Sequence, residues 1–371
     1  MSLSRVRLEI DTAALGSNFS EIRRLSGECR VAAVIKANAY GTGDLQTGRI
    51  LRDAGADRLV VADVVEALRI SELGLPVQIL GTLVSEDECA EVIRHGFIAP
   101  VTDLESARML SRSAVKLNKN VSCQLKVDSG MGRFGMDAPT AFSEIREILQ
   151  LPGLDVKGIY SHLSSAGTPA NEYTLMQLGR FKGLLRQLNE AGHSFEDIHI
   201  SASNGICFYP EACTRPFTMT RCGIIMYGCE REHRSANSNL KNVLALKSCL
   251  ATVKKIRKGG GIGYGHTFIL PEDALVGTIP AGYADGIPLA LSNTGSVLVK
   301  GVRCPVIGRV CMDCTLIRLD EVPDASPGDE VVFWGKSGKE EITASDWAEM
   351  KSTHVHDILC AIGSRVERRY L

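Results

Sequence analysis

From about residue 30 to residue 228, short apolar runs alternate with longer stretches of helical period. The runs fall at 31–35, 58–62, 76–80, 98–102, 121–127, 156–160, 198–202 and 217–220, about eight in all. They are nearly continuous in apolar residues, as strands buried on both faces should be. The stretches between them are amphipathic. In the clearest, 171–192, Leu175, Leu178, Phe181, Leu185 and Leu188 share one helical face, and Gly192 stops the helix. Roughly eight strand–helix units over about 200 residues predict an N-terminal (β/α)8, or TIM, barrel. A doubly wound open sheet is the rival architecture. It is weakened because no G-x-G-x-x-G follows the first strand and no Walker loop occurs.

After about residue 240 helical stretches nearly vanish, and alternating runs at 246–256, 274–279, 296–299 and 330–334 are broken by Gly and Pro. This predicts a smaller, mainly β C-terminal domain. The expected division is a barrel over 11–238 and a β domain over 239–371. The N-terminal strand within 1–10, strand-like at 6–10, should join the second.

Composition narrows the classes. The 371 residues are 44% hydrophobic and 23% charged, with a net charge of −1, so no basic surface seeks nucleic acid or an anionic membrane. No apolar run reaches the roughly 18–20 residues of a membrane span. The N-terminus reads as a strand and not as an export signal, which predicts a cytoplasmic protein. The 12 cysteines are scattered singly, as reduced, mostly buried thiols would be. The lone C-x-x-C at Cys311 and Cys314 lacks a second pair, so no metal is expected.

Active sites in such barrels lie at the C-terminal ends of the strands. The odd polar residues collect there: Lys36 after the first run, Lys126 and Asp128 in the fifth, His162 after the sixth, Ser201 and Ser203 after the seventh, Arg221 after the eighth. One lysine closing a strand is ordinarily a snorkelling edge residue. Five strands ending this way are not explained as edges. A desolvated lysine near cations has a depressed pKa and can act as nucleophile or base. The Arg221-Cys-Gly-Ile turn with Ser203 offers backbone N–H groups and a hydroxyl to a phosphate. Lysine and phosphate cradle together suggest pyridoxal 5'-phosphate.

These residues resemble the alanine racemase family. Ala33-Val-Ile-Lys36-Ala-Asn-Ala-Tyr40-Gly is similar to its cofactor-lysine motif. In order there follow Lys126-Val-Asp-Ser-Gly-Met-Gly-Arg133-Phe-Gly, Ser161-His162, Arg221-Cys-Gly-Ile-Ile-Met-Tyr-Gly, Gly263-Tyr264-Gly-His-Thr, Gly282-Tyr283-Ala-Asp-Gly and Gly308-Arg-Val-Cys-Met312-Asp313. The resemblance implies an isomerase that interconverts L- and D-alanine, D-alanine for a cell wall being the family expectation. Lys36 would hold pyridoxal phosphate as an imine and act as one acid/base. Tyr264 would be the other and would reach the neighbouring subunit's barrel, which implies a homodimer with shared sites. Arg221 would face the pyridine nitrogen, and His162 would hydrogen-bond near Tyr264 and Arg221. Tyr40, Ser203, Gly223 and Ile224 would hold the phosphate. Arg133 and the backbone at Met312 would receive the substrate carboxylate. Lys126 is similar to a family lysine that can be carbamylated and then steadies Arg133. Tyr283 and Asp313 would line the entrance.

Two positions depart from the family pattern. His356 stands where a phosphate-touching tyrosine is usual, and Ala202 where asparagine is common. They leave open a serine or broader-specificity racemase on the same scaffold. An amino-acid decarboxylase of similar architecture is disfavoured because its glycine-rich phosphate loop and catalytic cysteine motif are missing. A non-enzymatic pyridoxal-phosphate carrier would resemble the barrel alone.

Overall fold

The structure is a computed structural model that describes residues 4–237 and 239–371. Among these residues, eight parallel strands close into the expected barrel. Met219–Cys222 pairs with Arg30–Val34, which pairs with Arg58–Val61, and that with Val77–Ile79. Ala99–Val101, Val121–Asp128, Leu154–Tyr160 and Asp197–His199 follow in the same way. The two arcs join through a parallel bridge between Gln78 and Ile98, and through Thr218 N–H donating to Ile198 O at 2.8 Å. The strand interiors are buried, as the continuous apolar runs required, except that Leu154–Tyr160 is buried only from Gly158 onward.

The helix expected over 171–192 is Glu172–Glu190, with the Asn171 side chain accepting from Thr174 N–H. Its inner face differs from the expectation. Leu175 is exposed, while Thr174 and Gln177 are buried. Gln177 accepts from Ser164 N–H at 2.9 Å and donates to His162 O at 3.1 Å, so this face is turned inward to hold the loop after His162.

The C-terminal part forms two larger sheets and a two-stranded hairpin, Gly261–Ile262 with Phe268–Ile269, that flanks Tyr264. In one, Leu244–Cys249 lies between Glu330–Ser337 and the N-terminal Arg7–Ile10, which pairs in parallel with Glu367–Tyr370. In the other, Ala274–Ile279 lies between Thr252–Ile256 and Thr315–Arg318. The run expected as one strand over 246–256 is therefore split. Leu250 N–H donates to Asp329 O and Ala251 N–H to Thr278 O, so the chain changes sheets between these residues. Two helices, Ala344–Lys351 and Val355–Cys360, interrupt the domain that the sequence had read as almost helix-free. The second covers the turn that follows Lys36: a Cβ on Gly41 would lie 2.4 Å from Leu359 O. Arg368 Nε also donates to Gly41 O at 2.9 Å, and Tyr370 Oη to Thr42 O at 2.6 Å. The β domain thus closes on the strand-end face of the barrel. No helix among the described residues is long and apolar enough to cross a membrane.

Candidate active site

Lys36 begins a turn that L-residues ordinarily avoid. Ala37, Asn38, Ala39 and Tyr40 all have φ between 53° and 57°. A left-handed conformation costs each non-glycine residue roughly 1–2 kcal/mol, so the turn must be held from outside. Tyr227 Oη donates to Ala39 O at 2.7 Å, and Gly43 N–H to Asn38 O at 2.9 Å. Glu66 accepts from Ala37 N–H at 2.6 Å and from Ala62 N–H at 2.8 Å. The turn carries two functional candidates at fixed positions, Lys36 at its start and Tyr40 at its end. Burial lowers the pKa of the Lys36 amine, Arg133 and Arg221 lower it further, and Glu66 partly opposes them.

Tyr40 is buried, which raises its phenol above its ordinary range and keeps the proton on Oη. Its hydroxyl points at Gly223. A Cβ built there would lie 2.3 Å from Tyr40 Oη and 3.7 Å from Ser203 Oγ. Position 223 is therefore the floor of a small recess that any side chain would fill. Ser203 Oγ accepts from Gly223 N–H at 3.2 Å and from Ile225 N–H at 3.3 Å. Ile224, between them, opens a short 3-10 turn with its side chain buried. The recess thus combines two hydroxyls with main-chain N–H groups, the donor set of an oxyanion or phosphate site.

Arg221 lies inside its strand and is fully enclosed. Its Nη2 lies 2.8 Å from Ser161 O, 3.1 Å from His162 Nδ1 and 3.2 Å from Ile200 O, and its Nη1 meets His199 Nδ1. Burial pulls its pKa down to about 10, so it remains cationic at neutral pH. His162 and His199 are held well below the usual histidine range by burial and then by Arg221, which leaves both as neutral acceptors. Tyr160, which the sequence did not single out, lies beneath two of these cations. Arg221 Cζ is 5.6 Å and Lys126 Nζ 5.3 Å from its ring centroid.

Lys126 is buried and donates to Val127 O at 3.0 Å. Burial first, then Arg221, lowers its pKa to about 7. Asp128 braces the following loop. Its carboxylate accepts from Gly130, Met131 and Arg133 N–H at 2.8, 2.7 and 3.1 Å. Burial works against ionisation, but these N–H groups hold the carboxyl below its ordinary range.

His356 sits on the helix over the Lys36 turn, its ring 5.7 Å from that of Tyr40 and its Nδ1 3.7 Å from Glu230 Oε1. Burial lowers His356 to about 4 and raises Glu230 to about 7, so between these values both partners are uncharged. Lys36, Tyr40, Lys126, Arg133, His162, Ser203, Arg221, Gly223, Ile224 and His356 therefore gather at one end of the barrel.

The other candidates form a separate surface on the β domain. Tyr264 is 72% exposed, Met312 52% and Tyr283 44%. Tyr283 N–H donates to Cys311 O at 3.0 Å and Ala284 N–H to Met312 O at 3.1 Å, while Arg365 bridges Asp285 and Asp313, each at 2.7 Å. Sequence reasoning missed Glu66. Its signal was the Asp63-x-x-Glu66 pattern, which reads as a capping box, and Asp63 does accept from Glu66 N–H at 2.9 Å. Glu66 Oε1 is spent on the Lys36 turn instead, and Oε2 accepts from Ala62 N–H just before the cap.

The family profile described as alanine racemase, N-terminal domain, matches residues 10–231, and that for the C-terminal domain matches 243–370. The alanine racemase of Methanococcus maripaludis is 35% identical over 370 residues, 98% of either chain. That of Halothermothrix orenii is 36% identical over 367 residues, 98% of this chain and 96% of the relative. Among solved structures, alanine racemase from Clostridium difficile 630 superposes with a TM-score of 0.93 at 30% identity, covering 100% of this chain and 97% of the other. One from Bartonella henselae, described with covalently bound pyridoxal phosphate, gives 0.89 at 26% identity, covering 99% of this chain and 100% of that one. With both domain profiles in order on a barrel and β domain that superpose throughout, the chain belongs to the alanine racemase family, and so to the isomerases.

Proposed function

We propose that this chain racemises alanine with pyridoxal phosphate attached through Lys36, and that Tyr264 of the partner subunit completes the site. One observation carries the reading. A desolvated amine with Arg133 and Arg221 among its neighbours shares a rim with the Tyr40–Ser203–Gly223 recess. A Cβ at position 223 would fill that recess, so the residues present fit a phosphate. On this reading the working units are residues 11–238, which bind the cofactor, and 239–371, which lend Tyr264.

Racemisation takes a Cα proton from one face of the substrate and delivers one to the other, so two acid/bases are needed. When bound, pyridoxal phosphate supplies a ring that withdraws the charge left at Cα. Lys36 Nζ holds or releases the proton on one face, and its burial with Arg133 nearby favours the neutral amine. Tyr264 Oη of the partner subunit does the same on the other. Arg221 would face the ring nitrogen and, remaining cationic, would keep its proton, so that the ring would be a weaker sink than a pyridinium and side reactions would be limited. His162 accepts from Arg221 and steadies it. Tyr40, Ser203, Gly223 and Ile224 bind the phosphate, with His356 beside Tyr40. Arg133 and the backbone at Met312 of the partner subunit receive the substrate carboxylate, and a carbamate on Lys126 pairs with Arg133. Tyr283 and Asp313 line the entrance. The exposure of Tyr264 in one chain supports a homodimer in which it is covered.

Borohydride reduction of the holoenzyme tests the anchor. The cofactor mass is expected on the peptide containing Lys36 and nowhere in Lys36→Ala. Label at another lysine contradicts the assignment. In deuterated water, loss of the α-hydrogen of alanine without release of CO2 is expected, and CO2 release contradicts racemisation.

A further inference from the structure

Beneath Arg221 the barrel interior holds a row of buried polar side chains that the reaction as derived does not use. His199, Gln124, Gln78, Asp197 and Arg58 are all buried, with Gln124 and His199 fully so. The row begins at the opposite end of the barrel. Arg30 and Arg58 each open their strands and both pair with Asp197, Arg58 at 2.8 Å.

Each link fixes the next. A carboxylate between two guanidiniums only accepts, so Gln124 turns its Nε2 toward Asp197 Oδ2, at 2.6 Å. Gln124 Oε1 is then left to accept from Gln78 Nε2 at 2.6 Å, and Gln78 is itself oriented by Arg58 Nη1 donating to its Oε1 at 3.1 Å. The same Gln124 oxygen lies 2.7 Å from His199 Nε2, which must therefore carry the imidazole proton. Nδ1 of His199 is then a bare lone pair facing Arg221 Nη1. The reverse tautomer would set Nδ1–H against a guanidinium N–H, donor against donor. Every neighbour of Arg221 within hydrogen-bond distance is then an acceptor.

We propose that Gln124 and Asp197 are positioning residues for racemisation. They set the tautomer of His199, and through it they hold Arg221 as a fixed, charged donor toward the cofactor's ring nitrogen. The proposal rests on the reading that Arg221 faces that nitrogen. Arg221→Ala would remove the donor itself, whereas a change at Gln124 disturbs its aim from two residues away.

The test removes the ring nitrogen from the ligand. The cofactor is stripped from the holoenzyme. The full-length chain is then titrated with pyridoxal phosphate and with its isostere bearing C–H in place of the pyridine nitrogen. The wild-type chain should prefer pyridoxal phosphate by at least about tenfold, the scale of one buried charge-assisted hydrogen bond. Gln124→Met, close in shape but without donor or acceptor, should cut that preference to about threefold or less by weakening pyridoxal phosphate alone. Gln124→Glu should retain it, because two adjacent carboxyls share one proton and reproduce the amide's donor and acceptor pattern. An unchanged preference in Gln124→Met overturns the proposal, and so does an equal loss in Gln124→Glu. A wild-type chain without any preference sinks the Arg221 reading instead. The holoenzyme labelled with 15N-histidine gives a check that needs no variant to fold. His199 should hold the Nε2–H tautomer from about pH 6 to pH 9, as its burial demands. An Nδ1–H signal, or titration in that range, overturns the proposal.

Discussion

Glu66 offers the sharpest perturbation, because it anchors the turn that carries the proposed chemistry and otherwise bears on that chemistry only by opposing the lowering of the Lys36 pKa. The turn has four residues in left-handed geometry. At roughly 1–2 kcal/mol each, it stores about 4–8 kcal/mol that its hydrogen bonds must offset. Glu66 supplies one of these bonds, to Ala37 N–H at 2.6 Å, while its other oxygen accepts from Ala62 N–H at 2.8 Å and ties the turn to the end of the neighbouring strand. Bonds to a charged acceptor contribute about 1.5–3 kcal/mol each. Ala37 is exposed, so water replaces part of what is lost. Glu66→Ala is therefore expected to cost about 2–3 kcal/mol. The loss should be local, with residues 37–43 opening first. Amide exchange in that segment should accelerate by at least about tenfold, and cofactor affinity should fall by a similar factor, since Lys36 and Tyr40 bind only from the formed turn. Glu66→Gln keeps one acceptor and should lie between. Unchanged exchange at 37–43, together with cofactor affinity within about twofold of wild type, would refute the account of the turn.

Further outcomes follow from the same geometry. Gly223→Ala puts a Cβ against Tyr40 Oη, an overpacking cost of about 1–3 kcal/mol, and should weaken pyridoxal phosphate but not dephosphorylated pyridoxal; equal losses on both contradict the phosphate recess. Lys126, lowered to about 7, becomes neutral as pH rises through that value, and only the neutral amine adds CO2. A 13C carbamate signal from labelled bicarbonate should grow from pH 6 to pH 8 and vanish in Lys126→Met; its persistence there places the carbamate elsewhere. His356 is smaller than the tyrosine usual in the family, so serine should be racemised measurably beside alanine. Steady-state rates on L-Ala and L-Ser decide this, and His356→Tyr should suppress serine selectively.

The barrel was legible because parallel strands buried on both faces need unbroken apolar runs, and the eight observed strands each fall within a few residues of such a run. The rim was legible because Lys36, Lys126, His162 and Arg221 are polar where a buried strand should not be. What alternation does not encode is which sheet a strand joins, hence the undivided 246–256 run. Helices of eight and six residues, Ala344–Lys351 and Val355–Cys360, are too short for a period to emerge. Leu175 was misassigned because Thr174 and Gln177 look like surface residues until the loop they hold is known. The Gln124–His199 row was hidden for the same reason, since a polar residue within a strand does not announce its partners across the barrel. Residues 264, 283, 312 and 313 were legible only by resemblance, because nothing in their spacing says what their exposed surface faces.

The central claim is that Lys36 is opposed by a phenol from another chain, and mixed dimers test it directly. Lys36→Ala and Tyr264→Phe homodimers should each lose at least about 100-fold in racemisation. A dimer with one chain of each kind, isolated through two different affinity tags, contains one intact pair and should recover about half of the wild-type activity per dimer. A mixed dimer as inactive as its parents would mean that both groups must come from one chain, and would contradict the account.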